Sequence, residues 1–286
     1  MKTMKQKYCL FFFAVIIILH SNISLCFSRT LDEIKKSGIL RVGFFKEKTS
    51  FAIDAEGNMS GFDFELAKSF AEYLNVKLIP VIVEWNQIFS KDESGKIIEK
   101  NKIYNPFIFE SDSADIIAQE ITKLKWREKL MNLVPVTKSR QALFGIKDGK
   151  QAVKISDLSN SKIYIRKNTS FHELYENKIK PKAANAEAFY SDEGNDEGIT
   201  LLLSKSVDFS ITDAFQFFGF KNENLKYMFS LSPSETLCWA IKKNNKELTN
   251  ELKKFLTISK KSGVFDKIFK SYLGVSEKEY DYMLKK

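Results

Sequence analysis

The chain has 286 residues, 44% hydrophobic and 28% charged, with a formal charge of +9. That size suits one large domain or two modest ones. It carries three cysteines and two histidines, and its lysines are scattered and often set beside glutamates, as in "SEKEYDYMLKK". The scattered lysines exclude any basic stripe with interleaved aromatics for nucleic acid, and a Cys/His zinc site is excluded for a mature chain that keeps one cysteine and one histidine.

Residues 1–28 read as a secretory signal peptide. Lys2, Lys5 and Lys7 form a positive start, "CLFFFAVIIIL" is an apolar core too short to span a bilayer, and "HSNISLCFS" is a polar exit. Cleavage after Ser28 fits better than lipidation at Cys26, because Leu25 stands where a lipobox takes a small residue. The expected address is therefore exported, periplasmic or extracytoplasmic. The mature chain would keep a charge of +6, one histidine (His172) and one cysteine. Cys238, in the apolar run "ETLCWAI", reads as a small buried hydrophobe.

In the mature chain, Thr30 can cap a short helix closed by Gly38, and "ILRVGFF" reads as a buried strand. "DAEGNMSG" is a hairpin link. "FDFELAKSFAEYLNV" places Leu66, Ala67, Phe70, Ala71 and Leu74 on one helical face, with Asp63 as the expected N-cap. "VKLIPVIV" completes a βαβ unit with a parallel sheet. Residues 86–113 read as an irregular polar insertion.

"ADIIAQEIT" is a strand running into a loop, "KWREKLMNL" a helical turn and "QALFGIK" a strand. A second α/β series follows: strand "SKIYIRK", helix "NTSFHELYENKIK", helix "EGITLLLSKS", strand "VDFSITD", helix start "AFQFFGFK" and strand "TLCWAIKK". Two amphipathic helices end the chain, stopped by Gly263 and Gly274. The composition never shifts into a linker. The expectation is an α/β protein of two lobes joined by two crossing segments, near Thr137–Gln141 and Ser230–Glu235.

Five segments in this order resemble the family 3 extracytoplasmic solute-binding proteins of polar amino-acid ABC transporters. They are the opening "ILRVGFF…GFDFELAKSF", "ADIIAQEITKLKWR", "DLSNSKIYIRKNTS", "VDFSITDAF" and the closing "WAIKK…SYLG". The ending with Trp239 is also similar to the binding module of murein transglycosylase F, whose separate catalytic domain is not expected here. The resemblance implies a two-lobed periplasmic-binding-protein fold with mixed sheets flanked by helices. Residues 29–138 and 235–286 would form lobe 1, and 139–234 lobe 2. It also implies a small polar ligand, an amino acid or a relative, passed to a membrane permease by a monomer that uses no cofactor and no metal. The alternative is a sensor or cell-wall protein that recognises a peptidoglycan-derived fragment.

Carried over by position, Arg127 would grip a ligand carboxylate with its always-charged fork. Thr122 would donate a hydroxyl, and Thr169 and Ser170 would open the second-lobe helix toward the anion. Asp213 would meet the ligand ammonium, and Phe51 would cover the ligand; Trp85 is assigned to the core. Several positions depart from the family pattern. Glu120 and Asn168 stand where the family carries small residues, and Lys123 and Leu124 also differ. Glu120 would repel a ligand carboxylate, pair with Arg127, or point to the surface. No nucleophile–base pair, "GxSxG" or "HExxH" occurs, and the pair Glu110-Ser111 lies in the insertion without a lysozyme-like domain around it. A binding protein rather than an enzyme is expected.

Overall fold

The computed structural model describes residues 29–85, 88, 109 and 114–285; the signal-peptide reading and the pair Glu110-Ser111 lie outside them. Thr30 closes a reciprocal capping box with Glu33 over α1 (Leu31–Ser37), and Gly38, at φ 67°, ends that helix. β1 (Ile39–Phe44) follows. β2 (Ala52–Ile53) and β3 (Met59–Ser60) form a small hairpin, α2 spans Phe62–Leu74, and β4 (Lys77–Ile82) returns parallel to β1. The expected βαβ unit is present.

α2 differs from the expectation in its cap. Gly61, not Asp63, is the N-cap. Asp63 is instead buried and accepts a hydrogen bond from Trp239 Nε1 at 2.6 Å. This bond ties α2 to the strand that carries Trp239, which lies inside the first sheet.

The first sheet is completed by β5 (Ile116–Thr122), β6 (Met131–Ser139) and β12 (Glu235–Lys242), in the order β4-β1-β5-β12-β6. α3 (Lys125–Leu130) sits between β5 and β6. β6 does not stand out in the sequence, because Pro135 interrupts its apolar run. As an edge strand, β6 can carry a residue that lacks a backbone N–H.

The second sheet has the order β11-β7-β10-β8-β9, with β7 at Gln141–Ile146, β8 at Lys162–Arg166, β9 at Glu187–Ser191, β10 at Phe209–Asp213 and β11 at Leu225–Ser230. β8, β9 and β10 run parallel, β7 runs antiparallel to them, and β11 runs antiparallel to β7 and so in the same direction as the other three. Around this sheet lie α4 (Ser170–Leu174, continued by one π turn), α5 (Asn195–Leu203) and α6 (Ala214–Phe220). α7 (Lys246–Ser262), α8 (Val264–Leu273) and α9 (Glu277–Met283) close the chain.

The two lobes are joined where β6 passes to β7 through Arg140 and where β11 passes to β12 through residues 231–234. These crossings lie side by side: Leu231 N donates to Gln141 O at 2.7 Å, and the Gln141 amide nitrogen donates to Glu235 at 3.0 Å. A third link is apolar. Phe215 of α6 leaves the second sheet and packs edge-to-face on Phe62 at 5.1 Å, within the first lobe's core of Phe265, Phe269 and Tyr280.

Gly61 holds the start of α2 tightly against the loop before it. Its φ is 128°, and a β-carbon there would lie 2.2 Å from Ser50 O, a backbone atom that cannot swing aside. Gly61→Ala is expected to lower the unfolding free energy by more than about 2 kcal/mol, measured by urea denaturation.

Candidate functional site

All the polar side chains discussed here sit at or just beyond the carboxyl ends of parallel strands, the place where open α/β sheets form clefts. In the first lobe, Glu47 follows β1, Trp85 follows β4, and Gln119, Glu120 and Thr122 end β5. Arg127 follows on α3. In the second lobe, Arg166 ends β8 and leads to Thr169 and Ser170, Asn195 follows β9, and Asp213 and Gln216 lie at and beyond the end of β10. These residues and Phe171 line one inter-lobe cavity, whose space for the centre of a water molecule is about 30 Å³. That volume holds roughly two waters, so an amino acid requires the lobes or the lining side chains to move apart.

Six of the seven residues carried over from the family pattern meet here: Glu120, Thr122, Arg127, Thr169, Ser170 and Asp213. Phe51 does not. It is fully buried in the first lobe and stacks on Phe44 at 4.8 Å. The aromatics at the cavity are Phe171 and Trp85, and the Trp85 ring lies 5.2 Å from the Arg127 guanidinium and 5.8 Å from that of Arg166. Its indole N–H also donates across the cleft to Asn168 O at 2.8 Å.

Arg127 is buried, with its guanidinium over Trp85 and Trp126 and one N–H donated to Thr122 O at 3.1 Å. Its position is fixed by packing before any ligand arrives. Asn168 has φ 57°, the left-handed region that asparagine tolerates better than most residues, which explains how it replaces a glycine. Thr169 is the first non-helical residue before α4, but its hydroxyl donates to Arg166 O at 2.7 Å rather than capping that helix. Ser170 Oγ lies 3.3 Å from Thr122 Oγ1 across the cleft.

Glu120 neither reaches the surface nor pairs with Arg127 in the hydrogen-bond set of the cavity. It accepts from Ser50 Oγ, from Gln119 Nε2 at 3.1 Å and from Gln216 Nε2 at 2.9 Å. Glu47, which the sequence reading passed over, is the centre of the site. It forms a buried ion pair with Arg166 at 2.5 Å and accepts from Gln119 at 3.1 Å, Gln216 at 3.0 Å and Asn195 at 3.3 Å. The available signal was positional: a charged residue closing a buried strand (Arg166), or lying just past one (Glu47), faces the cleft.

The model of the bacterial extracellular solute-binding proteins, family 3, matches residues 40–97 and 108–275. The chain belongs to this family.

Among solved structures, this family 3 protein is similar to a cysteine-binding protein from Campylobacter jejuni, with 23% identity and a TM-score of 0.70 over 85% of this chain and 92% of that one. It is also similar to an ancestral amino-acid-binding protein, a precursor of cyclohexadienyl dehydratase. There the identity is 25% and the TM-score 0.69, over 85% of this chain and 98% of that one. Among curated proteins, the membrane-bound lytic murein transglycosylase F of Shewanella oneidensis is 26% identical over 95% of this chain and 54% of its own length. The one from Desulfosudis oleivorans is 22% identical over 89% of this chain and 53% of its own. The chain thus spans about half the length of these curated relatives. No helix among the described residues is long and apolar enough to cross a membrane.

Gathering carboxylates in this binding protein's cleft shifts their protonation. Burial, then the charges of Asp63 and Glu47, pushes Glu120 well above the usual carboxylate range. Asp213 is pushed the same way by burial and by Glu235 and Glu47, with Arg127 opposing. Burial also raises Asp63, behind Glu120, to about 7 despite the Trp239 hydrogen bond, and raises Asp196, at the rim, to about 6.

A carboxyl raised in the folded state binds its proton more tightly there than in the unfolded chain. Its contribution is therefore lost as pH rises from its unfolded pKa to its folded one. Asp63→Asn should accordingly gain stability relative to the unmodified protein between about pH 4 and about pH 7, in urea unfolding at a series of pH values. Glu47→Gln strands the buried Arg166 guanidinium and should cost the closed arrangement about 3–5 kcal/mol. The readout is a larger average radius of gyration in solution scattering, with far-UV dichroism unchanged.

Proposed function

We propose that this protein captures a small polar zwitterion, an amino acid or a close relative, between its two lobes outside the cytoplasm and presents it to the permease of an ABC importer. One observation carries the reading. A single cavity contains the fixed Arg127 guanidinium from the first lobe and the Asp213 carboxylate from the second. A molecule with a carboxylate and an ammonium answers both charges, and only by touching both lobes. Ligand binding then favours closure because only the closed form makes both sets of contacts. The crossings at Arg140 and residues 231–234 supply the hinge in this reading, and the signal-like first 28 residues supply the export. Binding rather than turnover is the activity assigned.

Arg127 performs the carboxylate grip and Thr122 and Ser170 provide hydroxyls near it, while Asp213 receives the ammonium. Glu120 helps to hold the amide side chains of Gln119 and Gln216 in place.

A second reading is favoured by the transglycosylase relatives, which match nearly the whole of this chain: the cleft would recognise a peptidoglycan-derived fragment and report to a cell-wall enzyme. Both readings use the same cleft and differ in ligand and partner.

The test is a thermal-shift screen of residues 29–286 against amino acids, polyamines, small carboxylates and muropeptides, followed by calorimetry. An amino acid at 100 times its Kd should stabilise the protein by about 2.7 kcal/mol. Arg127→Met, which keeps much of the buried stem, should abolish that gain while the variant remains folded. Undiminished amino-acid binding by the variant removes the carboxylate grip. Stabilisation by muropeptides alone moves the assignment to the cell-wall reading.

A further inference from the structure

The two carboxylates of the first lobe use up the amide N–H groups around them. Gln119 Nε2 donates to Glu47 and Glu120, Gln216 Nε2 shares its two N–H groups among Glu47, Glu120 and Ser50 Oγ, and Asn195 Nδ2 donates to Glu47. Glu47, ion-paired with Arg166, only accepts and faces all three amides, so turning any of them over would set oxygen against oxygen. Their orientations are therefore fixed, and the opposite ends of the amides follow from them. Gln119 Oε1, Gln216 Oε1 and Asn195 Oδ1 are buried without a hydrogen-bond donor, and so is Asp213 Oδ1. All four residues are at least nine-tenths buried, and all four line the cavity.

A buried acceptor without a donor carries a free-energy penalty that a ligand N–H removes. One ammonium has three N–H bonds, whereas the cavity presents these four oxygens from three different directions: the end of β5, the start of α5, and the end of β10 with the first turn of α6. Arg166 Nε is the opposite case, a buried donor without an acceptor. Glu47, Glu120 and Asp213 line the cavity with Arg127 and Arg166. Burial holds Glu120 and Asp213 toward their protonated forms, and a ligand cation brought beside them favours the ionised forms.

Resting on the amino-acid reading above, we propose that the preferred ligand is a basic amino acid, a monocarboxylate bearing a second nitrogen cation. Its carboxylate meets Arg127. One cationic nitrogen meets Asp213 Oδ1, and the other reaches the amide oxygens of Gln119, Gln216 and Asn195. The ligand's second cation favours ionisation of the carboxyls beside it. Glu47 and Glu120 act here as positioning residues, because they hold the amides with their oxygens toward the ligand.

The experiment is isothermal calorimetry on residues 29–286 with lysine, ornithine, 2,3-diaminopropionate and arginine, set against alanine, serine, leucine and glutamine, and against putrescine and cadaverine. At least one basic amino acid should bind about tenfold or more tightly than every neutral one, and more tightly than the diamines that lack the carboxylate. Gln119→Met removes one amide oxygen. It should reduce affinity for that basic amino acid by about tenfold while changing affinity for neutral amino acids less.

Equal or tighter binding of neutral amino acids overturns the inference and leaves the zwitterion cleft standing. Equal losses for both classes in Gln119→Met overturn the assigned role of that amide. Tighter binding of the diamines overturns the carboxylate part of the inference and of the function reading alike. Binding of no amino acid overturns both.

Discussion

The site is organised around the buried pair of Glu47 and Arg166, one from each lobe. A charge removed from water needs a partner of opposite sign and further hydrogen bonds to its remaining lone pairs. Glu47 obtains its cation from the opposite lobe and its other donors from Gln119, Gln216 and Asn195. The same carboxylate thus joins the lobes and fixes the side chains lining the space between them. An isolated pair would set only a distance. With the three amides attached, it also sets which atoms the cavity presents.

Around that centre, the first lobe is stiff and apolar. Trp85 lies beside both guanidiniums, Arg127 is packed against two indoles, and Asp63 holds α2 to β12 through Trp239. The second lobe reaches into this frame at two places, with opposite consequences. Phe215 on α6 enters the first lobe's apolar core, a contact without direction that tolerates rotation. The contacts of Thr122 with Ser170 and of Trp85 with Asn168 are hydrogen bonds and depend on direction. In the proposed hinge motion, opening would break the polar rim before it disturbs the aromatic contact.

The fold was largely legible because its signals are local. Thr30, Gly38, Gly263 and Gly274 act on their own turns, and the βαβ period of residues 39–82 needs only neighbours in sequence. Asp63 misled for the same reason. It satisfies the sequence rule for an N-cap, yet the tertiary contact with Trp239 draws it inward and leaves the cap to Gly61. β6 was obscured by Pro135, whose missing N–H matters less on the edge strand that only the sheet order reveals. Phe51 was one of 25 phenylalanines, and nothing in its own segment separates a ring over a ligand from a ring stacked on Phe44.

By itself the sequence determined the elements, their alternation and the residue types at the carboxyl ends of several strands, since these depend on periodicity, caps and turn chemistry. The resemblance to a known family, rather than periodicity, brought Arg127, Thr122 and Asp213 into consideration, and neither could say which of Glu120's alternatives held. Only the tertiary structure decided that Glu120 turns into the cleft, that Glu47 pairs with Arg166 across 119 positions of chain, and that three amides present oxygen rather than nitrogen to the cavity. The reason is physical: the cost of burying a charge depends on which distant groups surround it, and that becomes defined only once the two lobes have closed on each other.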